Sequence, residues 1–461
     1  MLRLYNYLTR KIEEFTSLNP PKVGMYTCGP TTYDFVHIGN LRTFIFEDIL
    51  QRVLEEAGFD INRVMNITDI DDKIITGSRV KGIGISEFSK PFEEAFFKDL
   101  EKLNIKFANV YPKATEHIGH MIKYIEELIK KDLAYMEEDG SVYFDISKFP
   151  EYGKLSGLKG QTLKPGVRVK ADEYTKDDVS DFALWKSVET QEVRYDSPWG
   201  RGRPGWHIEC SVMSQEYLGQ TFDIHAGAVD LIFPHHENEI AQAEGKTSHK
   251  FVNFFVEGEH LLVEGEKMAK SANNFFKLKD LEDKAFDPLA FRYLCLTAHY
   301  RDKLNFTWES LKGAQNALNN LREQIREWPS FAKASEGKDR LLEQAKLDNN
   351  PFWQKFLEAA RNDLNTPQAV GVMWDMVKSD NSISSKAAII LQMDKILGLG
   401  LDEYVGKPIE VSKTVMKLVH QRETARGSGD FKKSDKLRHE IKKLGYEVED
   451  TSAGSKVKKL T

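Results

Sequence analysis

The stretch Cys28-Gly-Pro-Thr-Thr-Tyr-Asp-Phe-Val-His37-Ile-Gly-Asn40 constrains this chain more than any other. It sets a metal-grade thiol, a Gly-Pro break and a His-Ile-Gly turn between an apolar strand candidate and a long amphipathic helix. An open α/β sheet holds its ligand at such a junction. Upstream, Val23-Gly-Met-Tyr-Thr-Cys28 reads as a short buried strand stopped by Gly29-Pro30. From Asn40 onward Leu41, Ile45, Ile49 and Val53 recur every fourth residue, Leu50, Leu54 and Ala57 widen the stripe, and Gly58 stands where a helix C-cap belongs. Ile61-Asn-Arg-Val-Met-Asn-Ile-Thr68 follows as a second strand. Strand, helix and strand make a right-handed βαβ unit, which leaves Thr68, Asp69, Asp71 and Asp72 at the carboxyl end of a parallel strand.

The remaining pattern predicts an α/β protein with a Rossmann-like parallel sheet over 1–304, an α-helical domain over 305–400 and a small basic module over 401–461. At 461 residues the chain exceeds what one hydrophobic core usually covers. The first domain carries an insertion over about 110–200. Its 151–200 part is rich in Gly, Lys and Asp and reads as irregular, anchored only by Asp181-Phe-Ala-Leu-Trp185-Lys. Gly202-Arg-Pro-Gly-Trp206-His-Ile-Glu-Cys210 opens a second helix, Phe222-Asp-Ile-His225 reads as another sheet strand, and a helix begins at His235 after Pro234. Val252 to Val263 alternates as short strands do, ahead of a loop over 264–271. Thr366-Pro367 supplies an N-cap with proline at the first helical position. After Val411 the expectation is two amphipathic helices, a turn at Gly445 and a polar tail.

A net charge of -6 argues against a broadly basic nucleic-acid binder, yet 411–461 alone carries 13 Lys+Arg against 7 Asp+Glu, leaving 52 against 64 elsewhere. Contact with a polyanion therefore concentrates at the C-terminus, the bland alternative being a solvated basic tail. No apolar run approaches the roughly 20 residues of a membrane helix. Cys28, Cys210 and Cys295 are too few and too scattered for a disulfide framework. These features describe a soluble, cytoplasmic protein, without membrane contact, whose thiols are reduced.

Two constellations carry chemistry. His235 and Glu239 stand one helical turn apart and project from one face. With the thiols of Cys28 and Cys210 they offer two sulfurs, a nitrogen and an oxygen, a borderline set that suits Zn²⁺ better than Mg²⁺ or Ca²⁺. His236 is the rival ligand, but on a helix it points about 100° from His235. Cys295, in an apolar helical setting, reads as core. The second constellation pairs His37-Ile-Gly39-Asn40, at the anion-binding start of a helix, with Lys267-Met-Ala-Lys270-Ser271, a loop bearing two ammonium groups. Such a loop can close on a polyphosphate; taken separately, the pieces read as an ordinary N-cap and a solvated basic loop.

With both constellations in place, the chain resembles the class I aminoacyl-tRNA synthetases, and among them the cysteinyl-tRNA synthetase family. The family signatures His-Ile-Gly-His and Lys-Met-Ser-Lys-Ser look like 37–40 and 267–271 here. Further marks are the Cys28-Gly-Pro-Thr block, Asn66-Ile-Thr-Asp-Ile-Asp-Asp-Lys73, Gly205-Trp-His-Ile-Glu-Cys210 and Phe233-Pro-His-His-Glu-Asn-Glu239, with Asn365-Thr-Pro367, Ala425-Arg426 and Asp430-Phe431 towards the C-terminus. The resemblance implies activation of L-cysteine by ATP, with Mg²⁺, and transfer to the terminal adenosine of cysteine-specific tRNA by a monomer. It further implies one Zn²⁺ at Cys28, Cys210, His235 and Glu239, and a cysteine pocket including Cys28, Thr68 and Trp206. ATP contacts fall on His37, Gly39, Asn40, Lys267 and Lys270, with His37, Lys267 and Lys270 catalytic. A zinc that prefers thiolate over hydroxyl would discriminate cysteine from serine where an apolar pocket cannot.

Four positions depart from the family pattern: Asn40 for histidine, Ala269 for serine, Ala228 for glycine, and Val457 where a tryptophan is usual. Two rivals share the motifs. A paralogue joining cysteine to an amino sugar would lack the C-terminal module, and a non-catalytic zinc regulator would not need Lys267 and Lys270.

Overall fold

The computed structural model describes residues 1–158, 168–169, 180–188, 193–268, 274–328, 349–407, 411–451 and 454–459. Its centre is a parallel sheet in the order Val252–Gly258, Phe222–Ala228, Lys22–Thr27, Asp60–Met65. Met25 faces Ile224 on one side and Arg63 on the other. The chain leaves Lys22–Thr27 towards one edge and later returns to build the other, so the strand order reverses beside Cys28. A crevice opens at such a switch point.

The expected βαβ unit is present. Its helix α1 (Ile38–Glu56) starts two residues before Asn40, because His37 is the N-cap and closes a capping box with Asn40. Leu41, Ile45, Ile49 and Val53 are buried as the stripe requires. Gly58, at φ +94, follows the last turn.

The 151–200 segment differs from expectation. Instead of an irregular insertion, the described strands form an antiparallel sheet ordered Ala134–Met136, Val142–Phe144, Asp181–Ser187, Gly200–Pro204 and Tyr195–Ser197, with Arg168–Val169 beside Asp181–Ser187. Strands this short carry too few residues to register a period. The two glycines just beyond that stretch are contact points: a Cβ on Gly202 would fall 2.2 Å from Trp185 Nε1, and one on Gly205 2.1 Å from the Ala183 carbonyl oxygen.

A strand Leu304–Phe306 pairs in parallel with Leu261–Val263 and so straddles the 304/305 boundary. One apolar core runs from Leu2 through α1 to Leu401 and Val405. Beneath that seam Asp48, on α1, is fully buried between Arg52 at 2.7 Å and Arg292 at 2.5 Å. Arg292 also donates to the carbonyls of Leu397 and Leu103. Burial raises the Asp48 carboxyl, but the two guanidiniums outweigh it and hold it below its usual range. Arg292→Met leaves that buried carboxylate with Arg52 as its one remaining guanidinium partner and is expected to cost about 3 kcal/mol, read as a lowered urea midpoint. A midpoint within error of the parent's would show that the seam does not depend on this pair.

Near the C-terminus two local readings change. Asn365, not Thr366, caps the Thr366–Lys378 helix by accepting from the Gln368 N–H at 3.1 Å. The polar tail is a hairpin of Tyr446–Thr451 and Gly454–Lys459 packed on helices Lys413–Gly427 and Phe431–Lys443, with Val415, Val419, Ile441 and Val448 as its own core. Val457 is half-buried against that core. Among the described residues no helix is long and apolar enough to cross a membrane.

Candidate active site and metal centre

Cys28, one residue beyond the Lys22–Thr27 strand, sits above the Trp206–Leu218 helix that carries Cys210. The Gly29 turn is forced: a Cβ there would lie 1.7 Å from the Asn66 carbonyl oxygen. Asn66 Oδ1 accepts from the Gly29 N–H at 2.9 Å and from Cys210 Sγ at 3.7 Å, tying both thiol-bearing segments to one side chain. His235 lies just beyond a kink at Phe233, whose φ of -136° and ψ of 129° break the helical path, and Glu239 lies in the first turn of Glu237–Thr247. The Cys28, Cys210, His235 and Glu239 ligand atoms lie within 4.8 Å of one another. His235 Nε2 is 3.4 Å from Cys210 Sγ and 3.1 Å from Glu239 Oε1.

His236 corrects the helical projection. The helix proper begins at Glu237, and the kinked segment before it brings His236 Nε2 to 3.5 Å from Cys28 Sγ while its Nδ1 meets Glu257 at 2.9 Å. Cys28, His225, His236 and Glu239 therefore form a second compact set sharing two members with the first. His225, which the sequence reading left as a strand residue, meets Glu239 Oε2 at 2.9 Å. The available signal was a histidine near the carboxyl end of a strand buried on both faces.

Burial sets the protonation of this centre. It pushes the Cys28 thiol far up, with Cys210 adding to the effect, and it raises Cys210 as well. It drives His235 well below its usual value, and burial with the neighbouring His225 presses His236 down to about 3. Burial also raises Glu239, but His225 and His235 outweigh it and hold the carboxyl below its usual range. The centre thus presents neutral imidazoles, two thiols and one carboxylate. Glu239 Oε1 is buried without a hydrogen bond of good geometry, and a lone pair so placed suits a cation. Two sulfurs, a nitrogen and an oxygen fit a borderline divalent ion that displaces the thiol protons.

Above the centre opens a cavity of about 430 Å³. Cys28 and Trp206 line one end, and the Trp206 indole stacks on His235 with centroids 4.2 Å apart. His37, Gly39, Asn40 and Lys267 line the other. Thr68 lies behind the wall: it is 1% exposed, and its hydroxyl donates to Glu209 Oε2 at 2.7 Å. Its carbonyl accepts from the Thr32 N–H at 3.0 Å, which braces the loop leading to His37.

His37 Nδ1 accepts from the Asn40 N–H at 3.1 Å. The neutral ring therefore carries its proton on Nε2, leaving that atom as a donor. Asn40 completes the box by accepting from the His37 N–H at 3.4 Å, a task that asks for an amide oxygen and no positive charge. The Ile38 N–H donates to Phe276 O at 2.9 Å, and the His37 and Phe275 rings meet edge to face at 4.8 Å. The start of α1 is thus fastened to the segment after the basic loop. A Cβ on Gly39 would fall 2.4 Å from Met268 Cε and 2.9 Å from the His37 ring. Lys270, Ala269 and Ser271 lie outside the described residues; Lys267 is described and lines the cavity. Ala228 lies on the opposite wall, at the end of its strand.

Residues 14–316 match the family model described as the tRNA synthetases class I (C) catalytic domain, and 355–402 match the DALR domain. The chain is 45% identical over 472 residues to a cysteine–tRNA ligase of Chlamydia felis, covering 100% of this chain and 98% of that protein. A cysteine–tRNA ligase of Brachyspira hyodysenteriae is 43% identical over 472 residues, at 99% and 98% coverage. Among solved structures, Mycobacterium tuberculosis methionyl-tRNA synthetase bound by methionyl-adenylate superposes with a TM-score of 0.56 at 12% identity, covering 82% of this chain and 90% of that one. An Agrobacterium radiobacter LeuRS in a ternary complex gives 0.57 at 10%, covering 86% and 88%. These two likenesses concern the fold.

Proposed function

Because the chain belongs to the cysteine–tRNA ligase family of class I synthetases, we propose that its cleft forms cysteinyl-adenylate from L-cysteine and ATP and passes the cysteinyl group to cysteine-specific tRNA. The observation that carries this reading is the single cavity joining a Cys28–Cys210–His235–Glu239 centre to the His37 end of α1. Zinc at that centre would supply a Lewis acid that favours a thiolate and gives serine a poorer partner. Glu239 fixes the charge of the site, and Trp206 walls it against water.

At the far end the carboxylate of cysteine attacks the α-phosphate of Mg·ATP in line, and pyrophosphate leaves. No side chain is the nucleophile, so catalysis rests on position and charge. His37 Nε2–H and the Gly39 N–H at the start of α1 meet phosphate oxygens. Lys267, with Lys270 beside it in sequence, offsets the charge of the departing pyrophosphate. Gly39 and Asn40 let the helix start approach the nucleotide closely. Thr68 acts from behind the wall, as a brace for the 30–32 segment.

The 305–400 region and the 401–461 module are assigned to the tRNA. The protein is proposed to act as a monomer, and its assignment to the cytoplasm is supported by two thiols that a metal requires reduced. Alignment over 100% of the chain takes in the C-terminal module, which a small-molecule ligase does not use. The test is cysteine-dependent exchange of pyrophosphate into ATP by zinc-loaded protein without tRNA; no exchange overturns the proposal.

The module's own core suggests where to cut. Leu401 and Val405 belong to the main core, so 411–461 is the segment to remove. Its loss is expected to lower tRNA charging at least tenfold, through lost basic contacts, with exchange within about threefold of the parent. Full charging by the shortened chain would take the tRNA role from this module.

A further inference from the structure

We infer that Phe35 is the platform on which the terminal adenosine of the tRNA stacks while it accepts the aminoacyl group, an inference that rests on the function proposed above. Phe35 is 40% exposed and lines the cavity, so part of a large aromatic ring is open at the mouth of the site, with the Lys277 ammonium over the ring. Isolated apolar residues on a convex surface carry no such meaning. This one is backed. Its ring meets Phe92 edge to face at 5.1 Å, and Phe92 meets the buried Phe88 at 5.5 Å. The loop beneath it is pinned where the Thr32 N–H and hydroxyl both donate to Thr68 O, at 3.0 and 3.1 Å. Lys277 holds its ammonium 4.6 Å from the Phe35 ring centroid and 3.5 Å from Asp34 Oδ1. An aromatic face with a cation beside it is the pairing that binds the base and phosphate of an unpaired nucleotide.

The strand order assigns the occupant. Gly227, Ala228 and Leu231 follow one outer strand and Glu259, His260 and Leu261 the other, and with His37 and Lys267 they enclose the half assigned to ATP. Phe35 is on the opposite rim. Its partner Phe92 lies on the Ile85–Lys102 helix, after the Asp60–Met65 edge strand, and the neighbouring Tyr33 ring lies under Lys73 of the Asp72–Lys81 helix. Once the adenylate spans Cys28 to His37, this rim is the side from which the acceptor ribose reaches the acyl carbon. There a ribose hydroxyl oxygen bonds to the carbonyl carbon, the carbon–oxygen bond to the phosphate breaks, the hydroxyl proton passes to the departing phosphate, and AMP leaves. A stacked terminal base holds that hydroxyl in reach without touching the adenylation chemistry.

The experiment compares Phe35→Leu and Phe35→Trp in the full-length zinc-loaded protein, using pyrophosphate exchange and charging of a cysteine-specific tRNA transcript. Leucine keeps apolar area and loses the π face. We expect Phe35→Leu to lower kcat/KM for tRNA about ten- to a hundredfold, a loss at least tenfold greater than its loss of exchange, and Phe35→Trp to stay within about threefold of the parent. Equal loss in both assays would assign the ring to ATP, and equal charging by the Leu and Trp variants would remove stacking; either overturns the inference. A parent that exchanges but does not charge would instead overturn the tRNA half of the proposed function, and this inference with it.

Discussion

Cys210→Ala is expected to leave the protein without stoichiometric zinc and to raise KM for cysteine in pyrophosphate exchange about a hundredfold or more. Changes that merely disturb the residues behind a metal ligand already cost 10- to 100-fold. Cys210 is 1% exposed and its sulfur lies 3.4 Å from His235 Nε2, so no water stands ready to replace it. Alanine also leaves Glu239, held as a carboxylate by its histidines, in a centre that has lost one of its two sulfurs. Selectivity should fall with affinity, because the preference of the pocket for a thiol over a hydroxyl is assigned to the metal. Metal content by atomic emission, with exchange driven by cysteine and by serine, reads all three. Retained stoichiometric zinc would refute the ligand set. If zinc is retained because His225 and His236 take over, Cys28→Ala distinguishes the cases, since Cys28 belongs to both compact sets.

His37→Ala is expected to slow adenylation by about 10²- to 10³-fold, the usual cost of removing one donor aimed at developing charge, while KM for cysteine changes little. Two effects overlap in this variant, since the ring also caps α1. Loss of a cap costs about 0.5–2 kcal/mol of stability. His37→Asn separates them. Asparagine is a good N-cap, so the helix start is retained, yet its short side chain lacks a donor where Nε2 stood. Exchange should stay low in His37→Asn while its thermal midpoint returns to the parent's. Near-parent exchange by that variant would reduce His37 to a cap and move the phosphate role onto the helix N–H groups and Lys267.

The contrast between the two variants follows from geometry. Cys28 and His37 stand at the two ends of one loop and both line one cavity, so under the proposed function a single segment would place both amino acid and nucleotide. Thr32, bonded twice to Thr68, fixes the middle of that loop.

Much of this was legible in the chain. The period of α1 and the glycine at its end identify a helix with one buried face, and strand, helix and strand in succession fix a parallel pair, because local propensity and handedness leave few alternatives. Four candidate metal ligands could be named from donor chemistry together with the family resemblance, and their ligand atoms converge in the fold. The insertion was misread for an equally physical reason: the strand character of Tyr195–Ser197 and Gly200–Pro204 lies in their cross-strand pairing, and no local period marks it. Asn40 was opaque for a related reason, since its side chain answers to the backbone of His37 rather than to a periodic pattern.

The sequence by itself therefore determined the βαβ unit, a candidate donor set and the family, because these depend on residue type and on neighbours a few positions away. Tertiary structure alone decided which donors converge. The kink at Phe233 carried His236 to Cys28, the packing of the Glu237–Thr247 helix set Glu239 beside His225, and Thr68 was drawn behind the wall by Glu209. It also left Phe35 on the rim of the cleft. Distances across a sheet switch point join residues up to about two hundred positions apart, and no local period encodes them.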